Sequence, residues 1–286
     1  MPLPNELRLR SADHADLPHI SELRESVGWG VHQWALHAVL EPPDARCFVV
    51  VDRADRLIGV GSGIAYGALG FVGNMIVDGD HRRRGIGSVI LEAVIDFLVG
   101  RGATRLELSA TDDGRPLYAR QGFEPIGPST IVRVPRRFAR LAADVEVSDA
   151  GPAAVAELAA YDAPRFGGDR RAILGRMLSD PDRPAIVARR DGQLVGYGWV
   201  RPDGERIGPL LADSPEIVTS LVGEAFDRLP SAERLSLNLP PDNRAGAERL
   251  AALGAELESW EGRMTRGPQV PRRDDTIYGN VVGALG

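Results

Sequence analysis

The chain contains no lysine; its 34 basic side chains are all arginine, set against 40 acidic ones for a net charge of −6. A basic face able to neutralise nucleic-acid phosphates is therefore not expected, and the chain has no lysine of its own to acylate. A single cysteine, Cys47, excludes an intramolecular disulfide and any multi-cysteine metal site. No apolar run approaches the roughly 18 residues that a membrane helix needs. The opening Met1-Pro-Leu-Pro-Asn-Glu6 has neither the basic start nor the apolar stretch of a secretion signal. We therefore expect a cytoplasmic protein without membrane or nucleic-acid partners. With 286 residues, 43% hydrophobic and 26% charged, the chain suits one large domain or two of ordinary size.

What is present is a pattern that runs twice. Glu6 to Arg10 alternates like a strand, and Ser11 to Asp13 can cap a helix with apolar positions Leu17, Ile20, Leu23 and Val27. A second helical pattern runs from about Val31 to Leu40. The period then becomes two through Cys47–Val51, a Gly-rich Leu57–Tyr66 and Phe71–Val77. A polar loop leads into helical spacing from Ile86 to Leu98, then a strand at Arg105–Leu108, a short helix at Arg115–Gln121, and strand again from Phe123. The order predicts a mixed α/β layer. Near Leu141 the pattern restarts: Ala185–Trp199 echoes the hairpin Phe48–Ser62, Arg234–Leu237 echoes Arg105–Leu108, and Leu253–Glu256 echoes Gln121–Glu124. The expected division is a first domain over residues 1–141, a second copy over 142–270, and an apolar tail over 271–286 that docks as a strand.

The densest chemistry is Arg82-Arg83-Arg84-Gly85-Ile86-Gly87-Ser88, between a buried-type strand and an amphipathic helix. A helix N-terminus presents unpaired amides and partial positive charge. Glycines let an anion approach the backbone, and arginines add charged donors. Such a site suits a diphosphate. A dinucleotide-binding loop would want a third glycine and an acidic residue ending the next strand; the plainer alternative is a solvated basic turn.

Preceded by Asn74–Asp78 and followed by Leu117-Tyr118-Ala-Arg-Gln-Gly-Phe123, this segment resembles the paired motifs of the GNAT acetyltransferase family over roughly residues 5–135. The resemblance implies a mixed-sheet GNAT fold in two tandem copies, with acetyl-CoA as cosubstrate and no metal. It implies that strand residues Met75, Ile76 and Val77 hold the pantetheine arm, with the acyl carbonyl near the Met75 amide. Amides from Arg83 to Ser88 would hold the pyrophosphate, with Arg82 at the first basic position. Tyr118 falls where the family carries its general acid; otherwise it is a core aromatic.

A base is not legible. Ser109 stands where relatives often have an acidic or amide group, and His32 and His81 qualify by chemistry alone. Trp29, His32, Trp34 and Tyr66 are the candidates for an acceptor pocket, or else ordinary packing. In the second copy Ser214-Pro215-Glu216 replaces the arginine–glycine loop and Leu250 replaces Tyr118, which implies a degenerate half. The function expected is transfer of an acetyl group to a primary amine of a small molecule or peptide. The alternatives are a non-catalytic acyl-CoA sensor and a protein acetyltransferase. Acceptor and oligomeric state stay open.

Overall fold

The period-two patterns of the first 77 residues form an antiparallel meander in the computed structural model, which describes residues 3–30, 33–41, 43–201, 205–281, 283, 285 and 286. Strand β1 (Arg8–Ser11) pairs with β2 (Ala45–Val51), β2 with β3 (Leu57–Tyr66), and β3 with β4 (Leu69–Val77). Helices α1 (Leu17–Ser26) and α2 (Gln33–Leu40) connect β1 to β2. Asp13 opens this stretch with a capping box: its carboxylate accepts from the Ala15 amide at 2.8 Å, and the Asp16 carboxylate accepts from the Asp13 amide at 2.9 Å. Helix α3 (Ile86–Gly100) then leads to β5 (Arg105–Ser109), parallel to β4, followed by α4 (Arg115–Arg120) and the short β6 (Glu124–Pro125).

The first pass ends on β7 (Ser129–Pro135), and the second runs β8 (Glu146–Ala150), α5 (Val155–Phe166), α6 (Arg171–Leu178), β9 (Ala185–Arg190), β10 (Gln193–Arg201) and β11 (Arg206–Ala212). It continues through α7 (Pro215–Arg228), β12 (Arg234–Leu239), α8 (Arg244–Ala252), β13 (Glu256–Trp260), β14 (Arg263–Arg266) and β15 (Ile277–Gly279). Among the described residues one sheet has the order β1-β2-β3-β4-β5-β14-β6, the other β13-β7-β12-β11-β10-β9-β8, with β15 attached to β11.

The division is not the one expected near residue 141. One compact unit is Met1–Pro125, Met264–Val270 and Val282–Gly286; the other is Ile126–Arg263 and Pro271–Val281. The copies exchange one strand each, which takes the place next to the sheet edge. β7 lies between β12 and β13, where its fully buried Val132 and Val134 register with Leu237 and Leu235, and β14 takes the matching place between β5 and β6. An alternating strand completes either sheet equally well by pattern, so its partner is a tertiary choice.

Helix α3 packs its buried Ile90, Val94 and Leu98 directly on β3, each side chain contributing ~1.5–3 kcal/mol of burial. Gly59, Gly61 and Gly63 line that face of β3, and a Cβ built on Gly61 would lie 2.4 Å from Ile90 Cγ2 and 2.5 Å from Met75 Sδ. Their bareness lets the helix seat close to the sheet and fixes where its N-terminus meets the end of β4. Among the described residues no helix is long and apolar enough to cross a membrane. Gly61→Ala should cost ~1–3 kcal/mol in urea unfolding, through overpacking between β3 and α3; an unchanged midpoint would contradict this seating.

Candidate active site

The site begins where two parallel strands part. β4 and β5 pair from Leu69↔Arg105 to Val72↔Leu108, and no pair follows among the described residues, although β4 continues to Val77. On its other edge β4 remains paired with β3 but carries a bulge. Val60 faces Ile76 and Ser62 faces Gly73, so Asn74 and Met75 share the single partner Gly61. Asn74 takes the left-handed conformation, φ 53°, that such a bulge favours. The Asp78 amide donates to the Ile58 carbonyl at 2.8 Å. Strand alternation then turns the Val77 amide and carbonyl to the edge that β5 has left.

Beside this split lies the mouth of α3. Gly85 is its N-cap with φ 81°, and Arg83 has φ 62°, so the loop alternates handedness and turns successive amides toward one side. The amides of Arg83, Arg84, Gly85, Ile86 and Gly87 donate to nothing among the described residues. That of Ser88 already donates to the Gly85 carbonyl at 3.1 Å, so five amides are open, not the six expected through Ser88. The arginine side chains differ as well. Arg84 Nη2 donates to Glu6 Oε1 at 2.6 Å, Arg82 Nε donates to the Val77 carbonyl at 3.2 Å, and Arg83 is exposed. Asp78, held below the usual carboxylate range chiefly by its 2.7 Å contact with His81 Nδ1, fixes the start of the loop.

Helix α4 brings Tyr118 to the same neighbourhood. A methyl on Gly87 would lie 3.4 Å from Leu117 Cδ2 and 3.7 Å from Val77 Cγ2, so the α3 mouth, the end of β4 and the start of α4 converge. The Tyr118 ring is buried edge-on against Phe123, centroids 6.1 Å apart, and its hydroxyl makes no hydrogen bond among the described residues. Burial pushes its pKa up to about 12, so the phenol keeps its proton at any working pH.

The other sequence candidates lie on different elements. Trp29 is half-buried at the end of α1 with the Arg24 guanidinium 5.7 Å from its ring centroid, and Trp34 is half-buried on α2. His32 lies outside the described residues. Tyr66 does not join the site: it pairs with Leu69, six residues and roughly 20 Å along β4 from Met75, and its hydroxyl donates to the Leu285 carbonyl at 2.8 Å. The tail also passes Ser109, whose Oγ is 3.2 Å from where a Cβ on Gly283 would stand. Sequence reading missed Arg24, which is buried with its Nη1 donating to Asn74 Oδ1 at the bulge and its Nη2 donating to the Gly30 carbonyl at 2.9 Å. The one available signal was an arginine on the apolar side of α1, directly after Leu23.

The second unit repeats this frame with its openings closed. The Asp213 amide donates to the Val195 carbonyl at 3.0 Å, as Asp78 does to Ile58. The amides of Leu253, Gly254 and Ala255 return to Leu250, Ala251 and Leu250 in the pattern that Gln121, Gly122 and Phe123 make with Tyr118, Ala119 and Tyr118, so Leu250 stands at the tyrosine's place. Helix α7 begins with Pro215, which has no N–H, and with Glu216, held low in pKa first by a hydrogen bond from the Ser214 side chain. Among the described residues β11 and β12 share the single pair Arg206↔Ser236, and β15 pairs with β11 at Leu210 and Leu211. The chain's own strand thus takes the edge that β4 leaves free.

A mixed sheet parted at a bulge, with open amides at the helix mouth beside the parting, is an α/β arrangement of the acyltransferase kind; the second unit repeats its frame without the opening. The acetyltransferase (GNAT) family model matches residues 12–123 and an acetyltransferase (GNAT) domain model matches residues 158–279; the chain belongs to the GNAT acetyltransferase family as a tandem of two such domains. It is 25% identical over 232 residues to the uncharacterised N-acetyltransferase YitH of Bacillus subtilis, covering 77% of this chain and 78% of that one. A putative acetyltransferase from Pyrococcus horikoshii shares the fold with TM-score 0.80 and 21% identity, over 100% of this chain and 98% of the other. A tandem GNAT protein from the clavulanic acid biosynthesis pathway does so with TM-score 0.63 and 17% identity, over 92% and 100%.

The Tyr118 environment predicts an alkaline signature. A folded-state pKa raised above the ordinary ~10 gives stability that is complete below pH 10 and lost as pH rises toward 12. With no lysine titrating in that window, the wild type should lose ~2–3 kcal/mol more than Tyr118→Phe between pH 9 and 12 in denaturant titrations. Parallel curves would show that the phenol is not buried as described.

Proposed function

We propose that the first unit transfers an acetyl group from acetyl-CoA to a primary amine by direct attack in a ternary complex, and that the second unit carries no acyl-CoA site. The observation that carries this reading is the row of five open amides at the α3 mouth, adjoining the unpaired edge of β4. The diphosphate would be held by the amides of Arg83 to Gly87, with Arg83 free to add charge, and the pantetheine arm by backbone groups of Met75 and Val77 along the free edge, the intervening Ile76 being turned to β3. Acetyl-CoA supplies the activated thioester. An amide N–C bond forms as the C–S bond breaks; the amine's surplus proton leaves to water, and the residue that protonates the thiolate regains its own proton from water after product departs.

Tyr118 is assigned the proton that the departing thiolate needs. Its pKa of about 12 against ~8.5 for a thiol makes complete transfer uphill by about 5 kcal/mol, so transfer must accompany C–S cleavage instead of preceding it. The open hydroxyl supports that role better than a packing role, since a phenol serving the core alone ordinarily finds a partner for its O–H. For the second unit, Pro215, Glu216, Leu250 and β15 each remove one requirement of the site.

The test is thiol release over a panel of amines, together with calorimetry of CoA. We expect one CoA per chain. Tyr118→Phe should lower kcat by ~100-fold or more while CoA affinity stays within about twofold, and replacing Gly85 and Gly87 together by valine should abolish CoA uptake. CoA uptake without turnover of any amine would make the protein a sensor; two CoA per chain would refute the silent second unit.

A further inference from the structure

Arg24 holds a charge that nothing in the described chain balances. It lies on α1 with 8% of its surface exposed, and its recorded bonds are Nε and Nη2 to the Gly30 carbonyl and Nη1 to Asn74 Oδ1. One hydrogen remains on each terminal nitrogen without an acceptor. Two other deeply buried arginines have a carboxylate: Arg105 Nε meets Glu107 Oε1 at 2.7 Å, and Arg170 Nη2 meets Asp162 Oδ2 at 2.6 Å. Arg24 has none, and burial alone pulls its pKa down, with no charged group opposing. An arginine kept in such a place without a carboxylate is unusual unless a ligand supplies one.

Its position says which ligand. Through Asn74, which also donates to Ser62 Oγ at 2.9 Å, the guanidinium is fastened to the bulge next to Met75. Through Gly30 and the Trp29 ring it is fastened to the connection after α1, not to the α3 mouth. We propose that Arg24 binds an oxyanion group of the acceptor, so that the preferred acceptor is an amine carrying a carboxylate. This rests on the acetyl-transfer reading for the first unit and names the substrate class of that same site. Arg24 acts by recognition: the spare N–H donors hold the acceptor's anion while its amine faces the thioester near Met75.

The experiment compares amino acids with their carboxamides, and phosphoethanolamine with ethanolamine, on the full chain. Turnover is measured by thiol release, and binding by calorimetry in the presence of CoA. In the wild type the acid should exceed its amide by at least ~10-fold in kcat/KM; Arg24→Gln should erase that ratio, mainly through KM, and Arg24→Lys should keep part of it. A phosphate-bearing amine preferred over the carboxylates would overturn the carboxylate assignment. A wild type indifferent to the acid would overturn the proposal whatever the variant does, since that comparison needs none, and so would an Arg24→Gln variant that retains the wild-type unfolding midpoint and slows all amines alike. Acid-selective binding without turnover would instead sink the acetyl-transfer reading and leave this subsite standing.

Discussion

The first unit depends on how closely α3 approaches β3. An α-helix and a sheet ordinarily meet through two layers of side chains, but Gly59, Gly61 and Gly63 remove one of them along a single face. Ile90, Val94 and Leu98 then rest on the sheet itself. This seating sets the helix axis, and with it the point at which the open amides emerge. It also places Met75 beside Gly61, so that the bulge in β4 and the helix mouth are two consequences of one packing arrangement. An anion site made from backbone donors has no flexible side chain to correct a misplaced helix. Close packing supplies the rigidity that the donors themselves lack.

Around this seat the chemistry divides into three kinds of support. Backbone amides at the α3 mouth supply donors at fixed positions. A buried ring at Tyr118 supplies a hydroxyl whose proton is retained at neutral pH because burial penalises the phenolate. A buried cation at Arg24 ties the bulge to the connection after α1. The three come from different stretches of chain: the α3 mouth meets α4 where Gly87 faces Leu117, and Arg24 meets the bulge of β4 at Asn74.

The two copies share one frame and differ at the opening. The hydrogen bonds around Asp78 and Asp213 match, as do those around Tyr118 and Leu250, so the frame of the second unit is intact. What changed is the set of groups that need not be present for folding: glycines and arginines at the helix mouth, a hydroxyl on α8, and the free edge of β11. That free edge would present unpaired amides and carbonyls, and β15 satisfies them from within the chain. A sheet split without a ligand is an unsatisfied edge, and a spare strand is the simplest remedy.

The sequence alone determined the elements, the duplication and the Arg82–Ser88 loop between strand and helix, because periodicity, capping residues and glycine placement are local properties of the chain. Asp13 caps where it stands, and the glycines of the loop act through their own backbone. It also placed Leu250 opposite Tyr118, since the flanking glycines fix the spacing. Only the tertiary structure decided that β7 and β14 are exchanged, that Tyr66 stands far from Met75, that β15 covers β11, and that Arg24 lies buried with no carboxylate against it among the described residues. Each of these depends on which distant segment supplies a neighbour, and an alternating strand or an isolated arginine reads the same whatever lies beside it.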